Sequence, residues 1–321
     1  MTDFLVIGAG LAGLAFAREA QARGASVLVL EKSRGVGGRA ATRRFAGTRV
    51  DHGAQFFTAR TAAFQVILEQ GLREGWIREW FRSIPEWRAE EIHPRPGSHP
   101  RYACPEGISA LPKFLSQGLT IVCEAQVNRV RQEGECHIAE TSDGRAFSGN
   151  TLIVNVPPVQ LNALLPLTAW ETLALEPCWV LLAALERDLA VDWPALELTD
   201  HPVFTWIARD HTKRAVGAPP TLVAHANPSW SEAHLDDDQE SVADALCTAV
   251  EGLLGPLRFT QVQAHRWRYA KPRTALGKPY YWEATRRIGA CGDWCEGGRV
   301  EGAFLSGYHL ALRLLSHPEH R

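Results

Sequence analysis

The run Phe4-Leu5-Val6-Ile7-Gly8-Ala9-Gly10-Leu11-Ala12-Gly13 decides how this chain is read. Four consecutive apolar residues suit a strand buried on both faces, and the glycines that follow at once suit a tight turn. Helix-period apolar residues continue to Arg23 and stop at Gly24; Val27-Leu28-Val29-Leu30 then gives a second apolar strand that ends in Glu31. Strand, glycine-rich turn, helix, strand and acid together predict a βαβ dinucleotide-binding unit. Gly8 permits the turn, Gly10 lets backbone approach a pyrophosphate, and Gly13 lets helix and strand pack closely. The amides of Leu11, Ala12 and Gly13 open the helix, where orphan N–H groups and the positive dipole end attract phosphate. Glu31 lies 18 residues past Gly13. A carboxylate at that distance accepts hydrogen bonds from a ribose diol and repels a 2′-phosphate.

The next stretch, Glu31-Lys32-Ser33-Arg34-Gly35-Val36-Gly37-Gly38-Arg39, is a second glycine-rich turn, and a basic one. A nicotinamide-binding unit does not need it, whereas an FAD held along a longer path does. Gly37 and Gly38 allow close backbone approach, and Arg39 offers a guanidinium fork to phosphate. This run, followed by Asp51-His52-Gly53-Ala54-Gln55-Phe56-Phe57, resembles the start of the flavin-containing amine oxidase superfamily, and within it most the bacterial renalase branch. The resemblance implies non-covalently bound FAD, with Lys32, Gly38, Arg39, Gln55 and Phe56 among its contacts and the backbone near Val127 meeting the adenine.

Near the C-terminus, Ile288-Gly289-Ala290-Cys291-Gly292-Asp293 reads as a short strand ending in Gly-Asp, and Val300, Ala303, Phe304, Gly307, Leu310, Ala311 and Leu314 recur at helical spacing. By the same resemblance Asp293 binds the ribityl or pyrophosphate region, and backbone N–H groups near Gly302 and Ala303 face the flavin N1/C2 carbonyl. A helix N-terminus there stabilises the negative charge of a reduced flavin.

The rest of the composition narrows the function classes. The 321 residues carry 34 Lys+Arg against 36 Asp+Glu, a formal charge of −2, so the chain is not a basic nucleic-acid binder. Seven scattered cysteines without a C-x-x-C pair argue against a disulfide framework or a metal site, and favour a reduced, cytoplasmic setting. The start lacks a basic n-region, and the apolar run Phe4 to Ala17 is too short and glycine-rich to span a bilayer. Asp236-Asp237-Asp238 reads as the acidic first turn of a helix running to Leu254, not as a metal cluster. All eleven tryptophans lie at position 76 or later, so the first 75 residues are built without one.

The fold class expected is α/β: an FAD-binding Rossmann-like fold of the two-dinucleotide-binding-domain type, with a second α+β substrate domain of mixed sheet and helices. Residues 1–73, 107–160 and 284–321 are assigned to the FAD-binding domain, and residues 74–106 and 161–283 to the substrate domain. Strand-like runs at Thr120–Cys123, Gln126–Arg131, Cys136–Glu140 and Leu152–Val156 supply its meander and returning strand. In the substrate domain two clusters resemble renalase sequences, His225-Ala226-Asn227-Pro228-Ser229-Trp230-Ser231 and Ala264-His265-Arg266-Trp267-Arg268-Tyr269-Ala270. Asn227, Trp230, His265, Arg266 and Trp267 are therefore pocket candidates, and Arg299 and Arg266 are candidates for substrate phosphate. Trp294 falls in the loop expected to close over the flavin.

The activity expected is an FAD-dependent oxidase that takes a hydride from a small reduced substrate to flavin N5, with reoxidation by O2 giving H2O2. The renalase resemblance implies a dihydronicotinamide dinucleotide as substrate, the 2- and 6-dihydro isomers of NAD(P)H returned to NAD(P)+. Amine oxidation or desaturation is the alternative, although Lys271 and Lys278 sit in no motif resembling an amine site. A flavin-binding redox sensor without turnover is the alternative of another class, and the half of the chain outside the FAD motifs favours a substrate pocket instead. No nucleic acid or membrane partner is expected.

Overall fold

A computed structural model of the chain describes residues 1–97 and 99–316. Two compact units divide it: Met1–Ala40, Ser109–Leu175 and Pro272–Arg321 form one, Ala41–Ile108 and Glu176–Lys271 the other. The end of the predicted FAD-binding domain, 317–321, lies outside the described residues.

The first unit is a sheet in the order Val127–Glu133, Cys136–Thr141, Ala146–Val154, Thr2–Ile7, Val27–Leu30, Thr120–Val122, with Tyr281–Glu283 and Ile288–Ala290 added beside Ala146–Val154. Thr2–Ile7 runs parallel to both neighbours, which is why Leu5, Val6 and Ile7 are apolar without alternation and buried. The helix Leu11–Ala22 follows the glycine turn, and Gly24 stands in the left-handed region just past it. The last helix, Val300–Leu315, packs on the first at Gly307, where a Cβ would lie 1.8 Å from the carbonyl oxygen of Ala12. Only glycine allows that backbone contact.

The second unit is a seven-stranded sheet in the order Phe259–Pro272, Leu175–Leu185, Thr221–Ala226, Phe204–Arg209, Ala195–Leu198, Glu86–Arg88, Glu91–His93. Its two faces follow the period of two along each strand. Trp179, Leu181, Ala183, Leu222, Ala224 and Ala264 point to the helix Gln239–Leu254, whose Val242, Leu246 and Val250 complete that core. Val180, Leu182, Ala184 and Val223 point the other way, onto Phe45 and Val50 of the hairpin Thr42–Phe45/Thr48–Asp51. Asp238 caps the helix by accepting from the amides of Glu240 and Ser241, while Asp236 pairs with Arg268 and Asp237 with His234. That accounts for the acidic triplet.

The boundaries between the units fall elsewhere than the sequence placed them. Residues 41–73 join the second unit, because Phe45 and Val50 bury against its sheet. Residues 161–175 join the first, where Leu161, Leu165, Trp170 and Leu173 enter the core beneath its sheet, and residues 272–283 join it because Tyr281–Glu283 pairs with Ile288–Ala290. Turn and strand signals mark where elements end, but not which sheet claims them.

Candidate functional site

Four strands of the first unit end in line. Leu30 is paired with Ile7, Ile7 with Val154, and Val154 with Ala290, so Glu31, Gly8, Asn155 and Cys291 form the next row. Ligands of open α/β sheets cross this C-terminal edge. Gly8 has φ +98°, and a Cβ there would lie 2.2 Å from the carbonyl oxygen of Asn155. A Cβ on Gly13 would lie 2.2 Å from the Gly8 oxygen. The first helix starts from Gly10, with no side-chain cap and no acid in its first turn. Leu11, Ala12 and Gly13 open that helix, and helical geometry leaves their amides without an intrahelical acceptor.

The two glycine-rich turns are joined. The Gly37 amide donates to the Ala9 carbonyl at 2.8 Å, Gly37 bridges to Gly10, and a Cβ on Gly38 would sit 3.7 Å from the Gly10 Cα. Glu31 is 6% exposed and braces this cradle: one carboxylate oxygen accepts the Ala9 amide and the other the Ser33 amide, each at 2.8 Å. Its backbone carbonyl accepts the Ala125 amide, which brings the strand beginning at Val127 to the same edge. Lys32 is exposed.

Two predicted contacts have other engagements. Arg39 forks onto Asp293, its two terminal nitrogens donating to the two carboxylate oxygens at 2.9 and 2.6 Å. The pair ties the second glycine turn to the strand end beyond Cys291. Ala303 donates its amide to Arg299 inside the last helix, so of the two predicted positions only Gly302 belongs to the first three amides, which helical geometry leaves without an intrahelical acceptor. Trp294 is 1% exposed, donates to the Val156 carbonyl and belongs to the core. Arg299 is exposed at the head of the last helix. Replacing Glu31 with Gln is expected to weaken FAD binding by about tenfold to a hundredfold, the range of one hydrogen bond to a charged group. Titration of flavin-stripped protein with FAD checks it, and an unchanged Kd contradicts the ribose role.

In the second unit, Gln55 gives its amide to the carbonyls of Asp51 and Gly53 and accepts from Lys213, while Phe56 packs on Phe81 and Trp206. Both side chains are held by contacts within their own unit. Asn227 caps a short helix by accepting the Trp230 amide at 2.7 Å, and Trp230 stacks on His234 beside the helix-side core. Arg266 donates to the Leu235 carbonyl and lies over the Trp179 ring. Alternation explains the last case: Ala264 and Arg266 point to the helix side, His265 and Trp267 to the opposite face.

That opposite face carries what the motifs missed. His52 stacks on Trp267, whose indole N–H donates to the His52 carbonyl at 2.7 Å, and meets His265 edge-on at 4.7 Å between ring centres. Arg43 lies 3.3 Å from His265 Nδ1. His225 sits directly across from Trp206 and Val180 in the sheet. Among the described residues, six buried side-chain polar atoms have no hydrogen-bond partner, and five belong to this unit: His52 Nδ1, His225 Nε2, His265 Nε2, Trp206 Nε1 and Thr221 Oγ1. Each such group left unpaired costs about 1–3 kcal/mol, so their concentration on one face of the sheet is a departure from the usual satisfaction of buried polar groups. Alternation from Thr221 through Val223 to His225 was the available signal.

All three histidines are held neutral. Burial, then His265 and Arg43, lowers His52 to about 3; burial and Lys213 lower His225 to about 3; burial and Arg43 lower His265 to about 4. Because these lie below the ordinary 6.5, the unfolded chain binds more protons between the two values. Their contribution is complete above pH 6.5 and is lost as pH falls through 6.5 toward 3. Urea midpoints should therefore drop between pH 6.5 and 4, above the range of Asp51, and His225→Leu should flatten the slope. A midpoint independent of pH in that window contradicts this.

Residues 6–69 match the NAD(P)-binding Rossmann-like domain family, and residues 85–315, most of the chain, match the flavin containing amine oxidoreductase family. The chain belongs to the flavin containing amine oxidoreductases. A Mycobacterium tuberculosis protein provisionally named flavin-containing monoamine oxidase AofH is 39% identical over 87 residues, 27% of this chain and 19% of that protein. Among solved structures, a protein inferred to be a protoporphyrinogen oxidase from Exiguobacterium sp. superposes with TM-score 0.80 at 15% identity, covering 98% of each chain. Putrescine oxidase with bound putrescine gives 0.75 at 13% identity over 98% of this chain and 99% of that one, and cyclohexylamine oxidase from Brevibacterium oxydans 0.76 at 13% over 99% of each. At these identities the likeness speaks for the fold. The cofactor of this family member is FAD, and the glycine cradle, the open helix start and the braced Glu31 fit an unphosphorylated adenosine dinucleotide. No described helix is long and apolar enough to cross a membrane.

Proposed function

We propose that this chain is an FAD-dependent oxidase of a small reduced heterocycle, and that its renalase-like substrates are the 2- and 6-dihydro isomers of NAD(P)H. The observation that carries the reading is the histidine face. Its polar groups belong to three neutral imidazoles, an indole and a hydroxyl, beside the Arg43 guanidinium. The carboxylates of that unit's buried cluster, Asp51 and Asp210, are both engaged by Lys213 and Arg214 and fully buried. A protonated amine finds no anionic partner among them, whereas a neutral dihydropyridine on an anionic dinucleotide is compatible with both the imidazoles and the guanidinium.

FAD, when bound, would supply a two-electron acceptor that O2 could reoxidise. The chain's own contribution is positioning. His265 and Trp267, both partly exposed, offer aromatic surface to a planar ring, and the Arg43 guanidinium beside His265 suits an anionic substituent. Losing a hydride turns a dihydropyridine into an aromatic ring, so no side chain needs to accept a proton from carbon. Imidazoles this far below neutrality are weak bases, which agrees with that chemistry.

The names of the relatives favour a second reading, amine oxidation, since AofH, putrescine oxidase and cyclohexylamine oxidase are all named for amines. Anaerobic mixing of FAD-loaded protein separates the two. Loss of the visible flavin absorbance with the 2- and 6-dihydronicotinamide isomers, followed on aeration by one equivalent of H2O2 per turnover, is the expected result. Bleaching by putrescine or cyclohexylamine alone overturns it in favour of amine oxidation. Bleaching by neither favours a redox sensor without turnover.

A further inference from the structure

We infer that Asn155 is a cofactor-binding residue whose side-chain amide donates to the pyrophosphate of the bound dinucleotide. The inference rests on FAD as cofactor and is independent of which substrate the protein oxidises. Asn155 directly follows the strand Ala146–Val154 and stands third in the row Glu31, Gly8, Asn155, Cys291. Strand spacing of about 4.8 Å makes that row about 14 Å long. Asn155 thus lies between the carboxylate that suits the ribose and the turn that leads to Asp293. A dinucleotide crossing this edge has its two phosphates over the middle of the row.

The side chain is held in the cradle itself. A Cβ on Gly10 would lie 2.8 Å from Asn155 Nδ2, and one on Gly13 would lie 2.9 Å from it, so two glycines of the turn are shaped around this amide. Its backbone N–H donates to the Ile7 carbonyl at 2.7 Å, which fixes the strand end. Yet Nδ2 is buried with no hydrogen-bond partner, alone in this respect among the described side chains of the first unit. An amide N–H2 group left so is costly, and an anion is the acceptor this position would meet. Rotation about the terminal torsion, a broad and soft one, brings N–H toward a ligand above the turn. Apolar residues would pack against Gly10 and Gly13 equally well, and would leave nothing unsatisfied.

The test is the affinity of flavin-stripped protein for two probes, FAD and ADP, the second carrying the pyrophosphate without the flavin. Asn155→Ala is expected to weaken both by about tenfold to a hundredfold, as for a hydrogen bond to a charged group, with the urea midpoint of the flavin-free protein unchanged. Asn155→Asp keeps the shape and sets a carboxylate beside the phosphates; its loss should be larger and should shrink as salt is raised. Unchanged affinities together with a lowered midpoint would make the amide a structural wedge and overturn the proposal. Weakened FAD with unaltered ADP would overturn the pyrophosphate assignment.

Discussion

Lys213→Met is expected to lower the stability of the protein by about 3–5 kcal/mol, the range for breaking a buried ion cluster by removing one partner. Lys213 is 0% exposed, and its ammonium donates to Asp210 at 2.7 Å, to Gln55 at 2.9 Å and to Asp51 at 3.4 Å, above the Trp80 ring. Arg214 completes the cluster with contacts of 2.6 Å to Asp210 and 2.8 Å to Asp51. Burial by itself would raise the Asp51 carboxyl, but Lys213, Arg214, the Ile108 amide and the Thr42 hydroxyl outweigh it and hold the group below its usual range. Methionine leaves two buried carboxylates facing one guanidinium. Urea denaturation of the purified variant measures the loss, and adding Asp210→Asn, which restores the charge balance, should recover part of it. A single-variant loss under about 1 kcal/mol would show that the cluster tolerates an unpaired charge, against this account.

The second large effect concerns the cofactor. Gly13→Val should abolish FAD retention, because any Cβ at that position lies 2.2 Å from the Gly8 oxygen and 2.9 Å from Asn155 Nδ2. Gly8 cannot give way, since it is itself against the Asn155 carbonyl. The helix start therefore moves off the strand, and the amides of Leu11 and Ala12 leave the line of the phosphates. Gly35→Ala is the control: it lies in the second glycine-rich turn with nothing within 4 Å of its Cβ position, and should bind FAD normally. The ratio of flavin absorbance to protein after purification decides the matter. A Gly13→Val protein that keeps its flavin would mean that the close approach has no part in binding.

The cofactor half of the site was legible because its chemistry is carried by backbone. A glycine turn, a helix start and a strand-end acid are local features, and the residues that make them follow one another within Phe4 to Glu31. Arg39 shows where local reading stops: its fork was visible, but its partner, Asp293, lies 254 residues away. Val127 was expected near the adenine, and only the bond from Ala125 to Glu31 shows how the start of its strand reaches the cradle.

The substrate side was less legible, since there the chemistry is carried by side chains whose direction depends on the sheet. His225 and Asn227 occur in one short cluster, as do His265 and Arg266; folding sends the first of each pair to the histidine face. Asn227 goes to a helix cap, and Arg266 to the Trp179 ring. The tryptophans divide as well. Trp179 and Trp294 became core, Trp267 joined the histidines, and Trp206 joined them without any motif to announce it.

The sequence by itself determined the βαβ cradle, the FAD it implies and the family, because glycines required by close approach and apolar runs required by a doubly covered sheet leave their pattern in consecutive residues. Only the tertiary structure decided which sheet claimed residues 41–73, which histidines came together, that Lys213 is the centre of a buried ion cluster, and that Asn155 lies in the cradle. Most of these contacts join segments distant in sequence. Their partners are chosen by register and by the burial of whole faces, and no short window of residues contains that information.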